Sequence, residues 1–184
     1  MTLEALLRAA CDTLHETGIP FMLTGSVATA FHGASRATMD VEFVIDPTVR
    51  QLDLFVARVQ APGAYVSREA AHDALRHRTM FNVIDPGTGW KADLIIRKDR
   101  PFSEEEFGRR TAAELFGTML HVPTLEDVLL SKLEWAKRGA SARQIEDVRA
   151  LLRIRQGDVD LAYIGRWIDV LGVQAQWALA STDA

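Results

Sequence analysis

Three carboxylates and one Gly-Ser pair are the residues of this 184-residue chain whose types and spacing could do chemistry. In Thr38-Met39-Asp40-Val41-Glu42-Phe43-Val44-Ile45-Asp46 the side chains alternate, with Met39, Val41, Phe43 and Ile45 on one side and Asp40, Glu42, Val44 and Asp46 on the other. A period of two marks a half-buried β-strand, so Asp40 and Glu42 project from the same face. Two hard oxygen ligands on one rigid face suit Mg²⁺. In Trp90-Lys91-Ala92-Asp93-Leu94-Ile95-Ile96, Asp93 interrupts an apolar strand, where a charge is costly unless paired or metal-bound. If the two strands are neighbours, three carboxylates converge. Two Mg²⁺ ions bridged by such a trio can activate a hydroxyl and neutralise a triphosphate leaving group. Gly25-Ser26 ends the run Leu23-Thr24. A strand, then Gly-Ser, then a helix exposes N–H groups to a phosphate, with the Ser26 hydroxyl as one more donor. Taken singly, each feature has a plainer reading, as an N-cap serine or a solvated strand face; the joint pattern points to nucleoside triphosphates.

The elements that must position these groups follow from periodicity. Leu3, Leu6, Leu7, Ala10 and Leu14 predict a helix over 2–17, with Gly18 as its C-cap. Ile19 to Thr24 is a short strand, Ser26 to His32 a compact helix, and Pro47 stops the strand of Asp40. Helices are expected over 49–59 and 67–76, with Ser67 as N-cap of the second. Met80 to Ile84 and Trp90 to Ile96 form a hairpin around the turn residues Asp85-Pro86-Gly87-Thr88-Gly89. A short acidic helix starts at Ser103, and one β segment is expected within Leu115 to Val122. Thr124 opens a long helix, with Asp127 completing a capping-box-like pattern. Helices are expected over 125–137, 142–155 and 158–170, with Gln174 to Ala184 as a tail given no element of its own. Strands first and helices later argue for an α+β fold. The character changes near residue 122, dividing an α/β core of 1–122 from a helical extension of 123–184 packed on it.

Composition bounds the setting. The single cysteine, Cys11, lies on the apolar face of the first helix and cannot pair within the chain, which fits a reducing compartment. No apolar run approaches the ~20 residues of a membrane span. The amphipathic N-terminus with an early Glu4 does not read as a signal peptide, so a cytoplasmic protein is expected. A net charge of −4 excludes a global basic footprint, although a basic groove near Arg97, Lys98 and Arg143 could serve RNA locally. His32 and His77 read as structural or surface residues. Trp90 and Trp135 read as core or core edge, with stacking on a base as the alternative.

The joint pattern of Gly25-Ser26, thirteen intervening residues, Asp40-x-Glu42 and a later-strand Asp93 resembles the nucleotidyltransferase superfamily of DNA polymerase beta type. The run Phe31-His32-Gly33-Ala34-Ser35-Arg36-Ala37-Thr38-Met39-Asp40 looks like a bacterial subgroup related to type IV abortive-infection toxins, in which a Gly and R-x-T or R-x-S precede the first Asp. Lys132 matches the lysine of a later helix, and Arg143-Gln144-Ile145-Glu146-Asp147 loosely matches an Arg/Asp segment. The resemblance spans roughly residues 18–152. Glu42 stands where many relatives have Asp, and no Asp directly follows Arg143.

The resemblance implies a nucleotidyltransferase-like mixed β-sheet flanked by helices, with a helical C-terminal part. It implies Mg²⁺-dependent transfer of a nucleoside monophosphate from an NTP to a hydroxyl, with two Mg²⁺ ions. Gly25 and Ser26 would hold the β- and γ-phosphates. Asp40 and Glu42 would bind Mg²⁺ with the triphosphate, and Asp93 would share the second ion and orient or deprotonate the acceptor. Lys132 would reach a phosphate as a point charge, and Arg36 would stabilise triphosphate charge. The acceptor could be tRNA, a protein side chain or a small hydroxylated molecule such as an aminoglycoside, and a cognate antitoxin is a conceivable partner. The alternative is a catalytically inactive protein of the same fold that binds a nucleotide or a partner. A metal-dependent phosphohydrolase lacks any His/Asp cluster at ligand spacing.

Overall fold

The structure is a computed structural model that describes residues 2–35, 37–61 and 63–182. Arg36 therefore lies outside the described residues. At the centre is a four-stranded sheet of β1 (Phe21–Thr24), β2 (Asp40–Ile45), β4 (Lys91–Ile96) and β3 (Met80–Ile84), in that order. β1 pairs antiparallel with β2, β2 parallel with β4, and β3 antiparallel with β4. The alternation in the sequence sets the faces. Val41, Phe43 and Ile45 lie fully buried on one side and register against Ala92, Leu94 and Ile96. The other side carries Asp40, Glu42 and Asp93.

The apolar face is covered by α1 (Leu3–Glu16), α3 (Val49–Gln60) and α4 (Arg68–His77). Each is an amphipathic helix with a Thr or Ser cap: Thr2, Thr48 and Ser67 accept hydrogen bonds from first-turn N–H groups. α2 (Gly25–Phe31) leads from β1 to β2, and α5 (Pro101–Arg109) follows β4. β5 (Thr111–Leu115) and β6 (Thr118–Val122) form a separate ribbon. The chain then becomes helical through α6 (Leu125–Gly139), α7 (Ala142–Ile154), α8 (Leu161–Leu171) and α9 (Gln174–Ser181). One continuous apolar cluster runs from Leu6 to Ala180 and joins sheet and C-terminal helices. No helix among the described residues is long and apolar enough to cross a membrane.

Four local expectations are corrected. The single β segment of 115–122 is a hairpin whose two-residue reversal, Phe116-Gly117, has φ of 49° and 71°. That geometry matches the strand twist, but the sequence lacks the usual Asn-Gly signal there. The expected tail forms α9, whose last-turn carbonyl at Leu179 accepts from the Arg149 guanidinium at 2.6 Å. Helix α2 starts at Gly25 with Thr24 as N-cap, so Ser26 sits inside the first turn. The capping box closes at Thr48–Gln51; at Thr124, the Asp127 side chain turns instead to Thr124 Oγ1, Arg109 and Tyr163.

Candidate active site

A cavity of about 610 Å³ lies over the polar face of the sheet, and Gly25, Ser26, Asp40, Glu42, Asp93 and Lys132 all line it. The sheet register brings the first group together: Glu42 is paired with Asp93 on β4 and with Thr24 on β1. Neighbouring strands are about 4.8 Å apart, so these two carboxylates leave the backbone side by side. Asp40 is one pleat away, opposite Lys91. Gly25 has φ +65°, and a Cβ there would lie 1.6 Å from Glu42 Oε2. A side chain is thus excluded both by backbone conformation and by the approach of Glu42. The Ser26 N–H donates to Glu42 Oε2 at 3.3 Å.

The facing wall comes from α6 and α7. Lys132 is 4% exposed, and its Nζ donates to Asp147 Oδ2 at 2.7 Å and to Gln144 Oε1 at 3.1 Å. Asp147 thus fixes the lysine over the carboxylates. Burial pushes the Glu42 carboxyl above the usual range, and the charges of Asp40 and Asp93 push it further; the Ser26 N–H and Lys132 oppose them. Lys91 donates to Asp93 Oδ2 at 2.9 Å, and this bond, with the charges of Asp40 and Glu42, raises its ammonium above the ordinary value.

Among the described residues, no three His, Cys, Asp or Glu side chains are gathered to hold a metal ion as they stand. Each carboxylate is turned to a protein donor: Asp40 to Thr38, Glu42 to Ser26, and Asp93 to Asn82 and Lys91. In donor chemistry the trio fits a hard divalent cation. It offers carboxylate oxygens only, and the mutual repulsion that adds to burial in raising Glu42 is what such a cation relieves.

Three solved structures are similar to the whole of this architecture. The crystal structure of ANT(2'')-Ia in complex with adenylyl-2''-tobramycin superposes with a TM-score of 0.60 at 14% identity over 100% of both chains. The solution structure of the antibiotic-resistance factor ANT(2'')-Ia gives 0.59 at 13%, covering 95% of this chain and 92% of that one. An antigenic nucleotidyltransferase-like protein from Paracoccidioides brasiliensis gives 0.58 at 16%, covering 97% and 91%. The chain has the nucleotidyltransferase fold. No protein-family model and no curated protein matches it in sequence. The expected α+β class, with a mixed sheet flanked by helices and a helical C-terminal part, is what this nucleotidyltransferase fold displays.

Sequence reasoning missed residues that line the cavity or hold its carboxylates. Asn82 holds Asp93 from β3, a pairing visible only once the hairpin register is known. Lys91 shares the face of Asp93 by the same period of two that exposed Asp40 and Glu42. Trp135, expected in the core or at its edge, is 47% exposed and lines the cavity. His32 is buried, with Nε2 at 2.9 Å from the Pro123 carbonyl, away from the carboxylates' hydrogen-bond network.

Proposed function

We propose that the chain is a Mg²⁺-dependent nucleotidyltransferase that moves a nucleoside monophosphate from an NTP to a hydroxyl acceptor. The observation that carries this reading is the convergence of Gly25, Ser26, Asp40, Glu42, Asp93 and Lys132, residues far apart in sequence, on one cavity. Asp40, Glu42 and Asp93 would hold the Mg²⁺ ions, which would neutralise the triphosphate and lower the barrier to pyrophosphate departure. Gly25 and the Ser26 N–H face the β- and γ-phosphates, and Lys132, held by Asp147, supplies a fixed positive charge to them. Arg36, directly before the Asp40 strand, adds positive charge in the same reading. The acceptor oxygen bonds to the α-phosphorus, the bond to the bridging oxygen breaks, pyrophosphate leaves, and the hydroxyl proton passes to Asp93.

The acceptor is RNA, a protein side chain or a small hydroxylated molecule; the adenylylated tobramycin bound to ANT(2'')-Ia supports the last class. The Gly33 to Thr38 segment supports a toxin of the abortive-infection kind with a cognate antitoxin, and the unpaired Cys11 supports a reducing cytoplasmic setting. Residues 1–122 would then form the catalytic core, and 123–184 the extension that supplies the Lys132 wall.

The test is calorimetry of NTP binding with Mg²⁺, wild type against Asp40→Ala/Glu42→Ala. Metal-dependent binding lost in the double variant supports the assignment. A wild type that binds no NTP with Mg²⁺ or Mn²⁺ favours the inactive, partner-binding alternative.

A further inference from the structure

A second cavity, of about 250 Å³, adjoins the first, and Thr24, Met80, Ile95, Ser131 and Trp135 line both. Its chemistry is opposite. The first cavity is floored by three carboxylates; the second is ringed by Arg78, Arg97, Lys98, Arg100 and Arg138. Two of these positive charges are matched. Arg97 and Arg78 share Asp46 at 2.9 and 3.4 Å, and Asp99 lies 2.9 Å from Arg78.

The others are not fully matched. Glu134 receives Arg100 as a two-pronged fork, and also Arg138 at 2.6 Å. Lys98 forms no ion pair among the described residues. Burial and the nearby Arg100 and Arg138 charges lower its ammonium, with Glu134 and Glu106 opposing. The remaining acid, Glu106, is buried against Ser131 Oγ, and burial pushes its carboxyl up to about 8. Three basic side chains, Lys98, Arg100 and Arg138, therefore gather at the one carboxylate that pairs in this part of the cavity, Glu134.

We propose that this second cavity is the acceptor subsite and that it takes a phosphate-bearing acceptor, whose phosphate Lys98 and Arg138 hold. The inference rests on the transferase reading of the first cavity. Half-exposed Trp135 stands on the wall between the two, and there it can stack on a ring of the acceptor while the hydroxyl is presented to the carboxylates. A polycationic acceptor would be repelled by the unmatched charges, which separates this chain from the adenylylated tobramycin bound to its structural neighbour.

The test uses the full chain and three probes: a fluorescein-labelled single-stranded oligoribonucleotide, ribose 5-phosphate, and tobramycin. Mg²⁺-dependent NTP binding is measured in parallel. Lys98→Gln and Arg138→Gln alter partly exposed side chains and should keep the melting temperature. Each should weaken the phosphate probe about tenfold, the loss of one charge-assisted hydrogen bond, and leave NTP binding intact. For the oligonucleotide, the logarithmic salt slope should also fall by about 0.7 per contact removed. Oligonucleotide binding alone identifies a polynucleotide acceptor, and ribose 5-phosphate binding alone a small one; both support the subsite. Phosphate-probe affinity unchanged in both variants overturns it, as does tobramycin binding in preference to both phosphate probes. Failure of both phosphate probes with NTP binding intact overturns the subsite and spares the transferase reading. Lys98-dependent probe binding without any NTP binding removes the acceptor role and the transferase reading together.

Discussion

The two walls of the candidate active site are positioned by different means. The acidic wall stands on β2 and β4, where backbone hydrogen bonds fix Glu42 opposite Asp93 whatever the side chains do. The cationic wall stands on α6 and α7, which meet through buried Leu129, Leu133, Val148 and Leu151 and the Lys132–Asp147 pair. Backbone register survives side-chain truncation; helix packing does not. On the sheet, chemistry and stability should therefore separate, and on the helices they should fall together.

The largest effect expected is on turnover. Asp40→Ala and Asp93→Ala should each lower nucleotidyl transfer by at least about 100-fold, with melting temperatures within about 4 °C of wild type. Wild-type turnover in either variant would sink the three-carboxylate assignment, and unfolding of both would break the contrast between the walls. On the helical side, Asp147→Ala removes the ion-pair partner of a buried lysine and should cost about 3–5 kcal/mol, read as a drop in denaturation midpoint, with turnover falling alongside. The double variant Lys132→Met/Asp147→Leu should recover most of that stability but not the turnover. Recovery of both would show that the lysine is structural only.

A third outcome sharpens the electrostatic side of the comparison. Glu106, held up to about 8 by burial, keeps its proton in the folded chain where the unfolded chain, near 4.5, has released it. The folded state binds more protons across that window, so this contribution is full below about 4.5 and is lost as pH rises through about 8. Thermal denaturation of wild type should therefore lose stability from pH 5 to 8, on the order of 2–4 kcal/mol, relative to Glu106→Gln. Parallel curves for the two proteins would show that Glu106 ionises normally.

The same division explains what could be read from the sequence. Asp40-x-Glu42 was legible because strand alternation is local, and Val41, Phe43 and Ile45 announce which face is buried. Asp93 was legible as a charge in an apolar strand, but its parallel pairing with β2 depends on a long connection, and only the resemblance supplied it. Lys132 also came only through the resemblance. A lysine on a helix looks solvated until α7 is known to bring Asp147 against it. Lys98 lies in the connection after β4 and Arg138 in α6, and nothing local says that they share a cavity with Glu106. The β5–β6 reversal escaped because Phe116 takes a left-handed φ that sequence statistics reserve for glycine or asparagine. Helix α9 escaped because tertiary burial of Ala180 and the Arg149 contact, rather than periodicity, hold it.

Gly25 offers the smallest effect and the finest cut, because it touches the acidic wall without being part of the sheet. Gly25→Ala imposes two separable penalties. Backbone at φ +65° costs an L-residue about 1–2 kcal/mol, whereas the crowding at 1.6 Å is against the far end of Glu42, a side chain that can move. In a Glu42→Ala background only the backbone penalty remains, so the same substitution there should cost about 1 kcal/mol. The excess in wild type then measures how firmly Glu42 is held at the Ser26 N–H. Denaturant titration of the four proteins gives both numbers. An excess near zero would mean that Glu42 swings free at little cost, and that the acidic wall depends on the register of β2 rather than on the turn at Gly25. A large excess would mean that the Gly25-Ser26 turn clamps Glu42, and nucleotide binding should then weaken in Gly25→Ala in step with stability.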